Sequence, residues 1–138
     1  MFMLPRELGS GETPRLRDAK AAFTRAVSNG RITSMKYFGT DGFRGRANEG
    51  LNVDHAFKIG RFVGWYYGAR RGKKARVIIG KDTRLSSYMF ESALVSGLVA
   101  SGADAYMLHV IPTPGVSYEV VDGGFDCGVM ITASHNPY

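Results

Sequence analysis

The sequence has 138 residues, of which 44% are hydrophobic and 22% are charged, as in ordinary globular domains. These proportions exclude a largely disordered chain, and the length suits one domain rather than several. The net charge of +6 is modest, a single cysteine excludes an internal disulfide, and no apolar run has the roughly 18 residues of a membrane span. We therefore expect a cytoplasmic protein without a membrane partner.

Residues 1–34 differ in character from the rest and are interpreted as an extension. Thr13 is a candidate N-cap for a short amphipathic helix over 14–28, and Asn29-Gly30 would end it. Three interpretations are open: an organelle transit peptide, a docking helix, and a non-functional extension ahead of a second start at Met35. We favour the last.

From Met35 onward, strand-like and helix-like segments alternate. This order predicts an α/β fold of three layers, in which helices flank a mixed, partly parallel sheet of about four strands. Predicted strands cover 36–38, 76–79, 105–110 and 128–131, and predicted helices run from Asn52 or Asp54 to Arg71, from Ser86 or Ser87 to about 102, and over 116–121. In such sheets the functional loops follow the carboxyl ends of strands.

The helix ending near Arg71 carries glycines at a four-residue spacing, Gly60, Gly64 and Gly68, and Gly72 is its predicted stop. Each interior glycine costs about 1 kcal/mol relative to alanine. Three of them predict a helix face pressed closely against a neighbour rather than a ligand site.

The first candidate loop is Gly39-Thr40-Asp41-Gly42-Phe43-Arg44-Gly45. Its glycines let backbone amides converge on an anion, and the planar guanidinium of Arg44 suits phosphate. It is neither a Walker A loop nor a Gly-x-Gly-x-x-Gly fingerprint. Phosphate binding and a plain turn with an Asp41–Arg44 contact are both open.

The second loop, Gly80 to Arg84, joins a predicted strand to a helix whose N-terminus favours anions. Lys81, Asp82 and Arg84 are candidates for phosphate binding or loop support. Of the two roles, we favour a brace in which Asp82 and Arg84 hold the first loop.

The third loop, Thr132-Ala133-Ser134-His135-Asn136-Pro137, follows a predicted strand. A hydroxyl held at a strand end can act as a nucleophile or carry phosphate, and Asn136-Pro137 favours a turn that presents Ser134. Adjacent side chains of an extended backbone point apart, so a protease-like dyad of Ser134 and His135 is disfavoured. A phosphoserine, whose charge Arg44 or a metal would match, suits the loop better. A plain turn is the alternative.

In combination and order, the segment from Met35 to Gly45 and the second and third loops resemble the amino-terminal domain of the α-D-phosphohexomutases, most closely the bacterial phosphoglucosamine mutase branch. The resemblance covers 35–138 and none of 1–34. It implies that residues 35–138 are an incomplete first domain of a four-domain phosphohexomutase, cut just after the serine loop.

The resemblance further implies that Ser134 carries a phosphoryl group, which it exchanges with a hexosamine phosphate through a bisphosphate intermediate. Arg44 would face the phosphoserine, and His135 would orient groups or exchange protons. Gly39, Thr40, Asp41, Gly42, Lys81, Asp82 and Arg84 would support the phosphate or the loops. The family binds Mg²⁺ through a phosphoserine oxygen and aspartates of a second domain, so Ser134 would ligate the metal through its phosphate.

Those aspartates and the family's sugar-recognition and carboxy-terminal phosphate loops are absent from this chain, so we expect no turnover by the chain alone. A phosphomannomutase or phosphoglucomutase and a non-catalytic fragment are alternatives. A nucleic-acid module using the basic cluster Arg70, Arg71, Lys73, Lys74 and Arg76 is disfavoured, because cations are also favoured at a helix C-terminus. The sequence does not specify an oligomeric state.

Overall fold

The computed structural model describes residues 2–5, 38–39 and 42–133, the first two ranges for their backbone alone. In these ranges the helices are α1 (Val53–Arg71), α2 (Leu85–Ala100) and α3 (Thr113–Asp122), and the strands are β1 (Phe2–Pro5), β2 (Phe38–Gly39), β3 (Gly42–Phe43), β4 (Arg76–Lys81), β5 (Asp104–Val110) and β6 (Cys127–Ile131). None of these helices is both long and apolar enough to cross a membrane. The predicted helix over 14–28 lies outside the described residues.

Four strands form the main sheet in the order β1-β6-β4-β5. Strand β4 is parallel to both β5 and β6, whereas β1 runs antiparallel to β6. Strands β2 and β3 form a separate antiparallel pair. The sheet confirms the predicted mixed, partly parallel architecture, and it brings the carboxyl ends of β4 and β6 next to each other. Its fourth strand differs from the prediction, because β1 lies within the region interpreted as an extension, whereas Phe38 of the predicted strand over 36–38 pairs with Phe43 outside this sheet.

The core has two layers because side chains alternate across the sheet. On one face, Val77 and Ile79 of β4 belong to a cluster with buried residues of α1 and α2. On the other face, Ile78 packs with Val116 and Val120 of α3. The helices therefore cover both faces of the sheet, as the predicted three-layer domain requires.

Helix α1 begins and ends where its sequence predicts. Asn52 is the N-cap, and its side chain accepts a hydrogen bond from the backbone of His55. Gly72 ends the helix in the left-handed conformation, with φ of 62°. A Cβ atom at Gly60 would meet the backbone of α2, and one at Gly64 would meet Ser101, so the predicted close packing of this face is confirmed at both glycines.

Three predicted boundaries are wrong. Strand β4 runs to Lys81, two residues beyond its predicted end, because both neighbouring strands continue its ladder. The N-cap of α2 is Arg84, and no side chain caps that helix. Helix α3 begins at Thr113 and includes Pro114 in its first turn, where the fixed φ of proline is compatible with a helix and its missing N–H breaks no hydrogen bond.

Candidate functional site

The ends of β4 and β6 are joined directly where they enter their loops. The backbone N–H of Asp82 donates to the carbonyl of Ile131 at 2.9 Å. This bond extends the parallel ladder by one residue beyond β4. The second and third predicted loops therefore start side by side.

The carboxylate of Asp82 connects three parts of this region. Its Oδ2 accepts a hydrogen bond from the backbone N–H of Ala133 at 3.1 Å. Its Oδ1 accepts from the backbone N–H of Arg84 at 3.2 Å and from the hydroxyl of Ser87 at 2.5 Å. One oxygen thus faces the third loop, and the other faces the beginning of α2.

These hydrogen bonds favour the ionised form of Asp82. Partial burial pushes the pKa of its carboxyl upward, but the bonds from Ser87, Arg84 and Ala133 outweigh burial and leave the pKa below its ordinary value. The Arg84 guanidinium adds to this lowering. At neutral pH Asp82 is therefore a carboxylate that only accepts hydrogen bonds.

The side chain of Arg84 is a second contact with the third loop. Its Nη2 donates to the carbonyl of Ala133 at 3.4 Å, and its Nε lies 3.7 Å from Asp82 Oδ2. The described side-chain bonds of Asp82 and Arg84 thus reach the third loop, whereas the favoured prediction was a brace on the first. That brace stays a prediction, because Thr40 and Asp41 lie outside the described residues.

The first loop is anchored through Phe43, which is 3% exposed and belongs to the core. Gly42 has φ of 81°, a value that favours glycine. A Cβ atom at Gly45 would come within 2.9 Å of the backbone of Gly50 and Leu51. Arg44 lies between these fixed points and is exposed. The predicted contact of Arg44 with a phosphoserine stays a prediction.

A cleft of about 370 Å³ opens between the loops. It combines the end of the first loop, the first turn of α2 and the start of the third loop. Its described lining residues are Gly45, Arg46, Ala47, Glu49, Leu51, Ala56, Asp82, Arg84, Ser86, Ser87, Phe90, Ile131, Thr132 and Ala133. Ser86 and Ser87 of the first turn of α2 line this cleft, and the partial positive charge of a helix N-terminus favours an anion.

Lys81 lies elsewhere than its predicted loop position suggests. It is the last residue of β4, its side chain is fully buried, and its Nζ lies 3.1 Å from the centroid of the Tyr88 ring on α2. Lys81 is not among the described residues that line the cleft. Its predicted phosphate or loop support therefore stays a prediction, and the contact that the structure describes is with Tyr88.

The basic cluster at the end of α1 makes contacts within the domain. Arg71 pairs with the buried Asp126, and Arg76 lies 4.6 Å from the centroid of the Phe125 ring. Lys74 lies 3.5 Å from the carboxylate of Asp104. Arg70 donates to the hydroxyl of Tyr66 at 2.9 Å, so four of the five cations have contacts within the domain.

Magnesium would need ligands from outside the described residues. Among those residues, no three His, Cys, Asp or Glu side chains form a group that could hold a metal ion. Asp82 already accepts three hydrogen bonds, and Glu49 pairs with Arg46 at 3.3 Å. The predicted magnesium site through the phosphate of Ser134 therefore stays a prediction.

The sequence patterns did not predict the hydrogen bond from Ser87 to Asp82, since Ser87 was identified only as a possible start of a helix. The only indication in the sequence is that Ser87 lies near the predicted start of a helix, a few residues after Asp82 and Arg84. This pattern does not specify which carboxylate accepts a hydrogen bond from the serine hydroxyl. Ser134 and His135 lie outside the described residues. Ala133, directly before them, is the point at which the described site ends.

Residues 35–138 match the family model described as phosphoglucomutase/phosphomannomutase, alpha/beta/alpha domain I. The chain therefore belongs to the phosphoglucomutase/phosphomannomutase family. It is 70% identical over 103 residues to the phosphoglucosamine mutase of Lachnoclostridium phytofermentans, 67% identical over 104 residues to that of Lachnospira eligens, and 52% identical over 103 residues to that of Staphylococcus aureus. These identities confirm the resemblance to the amino-terminal domain of phosphoglucosamine mutases.

The matched region makes up 75%, 75% and 74% of this chain, and 22%, 23% and 23% of the respective relatives. The chain thus spans less than a quarter of the length of the curated relatives it matches. A solved phosphoglucomutase/phosphomannomutase family protein from Burkholderia thailandensis has the same fold, with a TM-score of 0.59 and 34% identity over 69% of this chain and 22% of that one. The fold and the family are shown for this region, and the activity concerns a longer protein.

Proposed function

We propose that residues 35–138 form the phosphoserine-carrying domain of a phosphoglucosamine mutase that interconverts glucosamine 6-phosphate and glucosamine 1-phosphate. The observation that carries the proposal is the attachment of Ala133 to Asp82 and Arg84 at the edge of a cleft suited to anions. Identities of 52–70% to proteins named phosphoglucosamine mutase favour the glucosamine branch.

In this proposal, the phosphorylated hydroxyl of Ser134 is the phosphoryl donor. The bond between phosphorus and Ser134 Oγ breaks, and this oxygen takes up a proton to become a hydroxyl. The free hydroxyl of the sugar monophosphate bonds to phosphorus and releases its proton, for which His135 is the candidate acceptor. The resulting bisphosphate reorients, and its other phosphoryl group is transferred to Ser134 Oγ, which loses its proton while the departing sugar oxygen gains one. Phosphoryl transfer depends on positioning and on neutralising oxygen charge, which are the roles assigned to the cleft and to Arg44.

In the proposal, an oxygen of the phosphate on Ser134 would be one ligand of Mg²⁺, and the other ligands would come from outside the described residues. When bound, it would neutralise part of the charge on the transferring group.

The experiment is a chimera in which residues 35–138 replace the matching region of the Lachnoclostridium relative. A coupled assay measures formation of glucosamine 1-phosphate, and intact-mass analysis measures phosphate on the protein. We expect turnover and one phosphate on Ser134, and loss of both in Ser134→Ala. Ser96→Ala is the matched control, since its exposed hydroxyl bonds only to the Ser92 carbonyl among the described contacts.

Turnover that survives Ser134→Ala, or an active chimera that never carries phosphate on Ser134, would contradict the proposal. Sugar choice needs a different experiment, because the chimera carries the relative's remaining domains. It is measured on the product of the complete natural gene by comparing kcat/KM for the 6-phosphates of glucosamine, glucose and mannose. A preference for glucose or mannose would favour the phosphoglucomutase or phosphomannomutase alternative.

A further inference from the structure

Ala133 is held at both of its backbone polar groups. Its N–H donates to Asp82, and its carbonyl accepts from Arg84. A peptide group is planar, so fixing the carbonyl of Ala133 also fixes the plane of the peptide that links it to Ser134. The contacts around Ala133 therefore constrain the backbone at its entry to Ser134.

We propose that Ser87 and Asp82 are positioning residues that tie this entry to the N-terminus of α2, so that the phosphoryl group on Ser134 is presented at a fixed place in the cleft. The inference rests on the proposed function of Ser134. It adds Ser87 to the residues that act on this site, although Ser87 lies 47 positions before Ser134 in the sequence and does not itself react.

The geometry assigns separate tasks to the two oxygens of the Asp82 carboxylate. Oδ2 receives the Ala133 N–H, and Oδ1 receives the hydroxyl of Ser87 and the N–H of Arg84. Ser87 is 3% exposed, so its hydroxyl has little competition from water. The Ser87 hydroxyl therefore orients the carboxylate, and the carboxylate orients the loop.

An ionised carboxylate is needed for this arrangement. The three hydrogen bonds to the Asp82 carboxylate come from donors, namely the N–H groups of Arg84 and Ala133 and the hydroxyl of Ser87. An asparagine amide has one oxygen and one NH₂ group, so its NH₂ group would face a donor and that hydrogen bond would be lost. Asp82→Asn is thus expected to release either the loop or the helix end. Ser87→Ala removes one of the two donors to Oδ1, so the carboxylate is held less firmly, by the N–H groups of Arg84 and Ala133 alone.

The test uses the same chimera with Ser87→Ala, Asp82→Asn and both together. We expect kcat to fall about tenfold in Ser87→Ala and about a hundredfold in Asp82→Asn, because small displacements of a reacting group have effects of this size. KM should stay within about twofold. The double variant should be no slower than Asp82→Asn, because both residues act through one contact. Asp54→Asn, on the exposed side of α1 in a pair with Lys58, is the matched control.

A merely structural role would instead lower the melting temperature and leave kcat of the folded protein unchanged. Wild-type kcat in folded Ser87→Ala and Asp82→Asn, with Ser134 still phosphorylated and still required, would overturn the positioning role and leave the proposed function standing. Turnover in Ser134→Ala would overturn both.

A second measurement does not depend on catalysis. Hydrogen exchange at the Ala133 amide in the full 138-residue chain is expected to accelerate at least about tenfold in Ser87→Ala and Asp82→Asn, and to be unchanged in Asp54→Asn. Equal protection of this amide in all four proteins would overturn the inference even if the chimeric variants fail to fold.

Discussion

Replacing Gly60 and Gly68 by alanine, one at a time, is expected to change the stability of the chain in opposite directions. Both glycines lie on α1, so the change gains up to about 1 kcal/mol of helix propensity at each. Their surroundings differ. A Cβ atom at Gly60 would lie 2.9 Å from the backbone nitrogen of Leu98, whereas one at Gly68 would lie 3.4 Å from the Lys73 carbonyl.

The magnitude follows from whether the neighbour can move. At Gly60 the obstacle is the backbone of α2, so the two helices must separate, and overpacking of this kind costs about 1–3 kcal/mol. We expect Gly60→Ala to lower the free energy of unfolding by about 1–2 kcal/mol. At Gly68 the added Cβ atom would make an ordinary van der Waals contact, so Gly68→Ala is expected to raise the free energy of unfolding by about 0.5–1 kcal/mol.

The assay is urea and thermal unfolding of the 138-residue chain, followed by circular dichroism. For a chain of this length, 1 kcal/mol corresponds to about 3–5 °C, so the two variants should differ in Tm by about 5 °C or more. Equal stability of the two variants, or stabilisation by Gly60→Ala, would refute the claim that the glycine face of α1 exists for its close contact with α2.

Three further predictions concern charge and activity. Arg71→Ala should lower the free energy of unfolding by about 3–5 kcal/mol, because it leaves the fully buried Asp126 without its cation. Lys74→Ala should change the free energy of unfolding by less than about 1 kcal/mol, because the pair of Lys74 with Asp104 is exposed. Equal effects of the two substitutions in urea unfolding would contradict this prediction. Hydrogen bonds lower the pKa of Asp82 below its ordinary value of 3.8, so its contribution to stability is present above that value and is lost as the pH falls through the lowered pKa. The unfolding free energy of wild type relative to Asp82→Asn should accordingly shrink below about pH 4, and a constant difference from neutral pH to about pH 2 would contradict it. Finally, the 138-residue chain alone should form no glucosamine 1-phosphate with or without magnesium in a coupled assay, and magnesium-dependent turnover by it would show that the remaining regions of the relatives are dispensable.

The parts of the fold that local chemistry determines could be predicted from the sequence. Asn52 and Gly72 bound α1 because a side-chain cap and a left-handed terminus depend on a few adjacent residues. The end of β4 could not be predicted in this way. Gly80 and Lys81 have the composition of a loop, yet they stay in the strand because β5 and β6 both extend alongside them. A strand ends where its partners end, and partners lie far away in the sequence.

The same limit explains why the partner of the second loop was not predicted. Asp82 and Arg84 follow β4, and the residues next to them are those that follow its neighbour in the sheet. Strand β6 lies beside β4, and the third loop follows β6. Asp82 therefore contacts this loop at Ala133, which is 51 residues away in the sequence. The first loop, by contrast, includes the end of β2 and all of β3, which pair with each other outside the main sheet. The residue types in each loop indicated phosphate chemistry, whereas the contact between Asp82 and Ala133 depends on the order of the strands, which no single loop encodes.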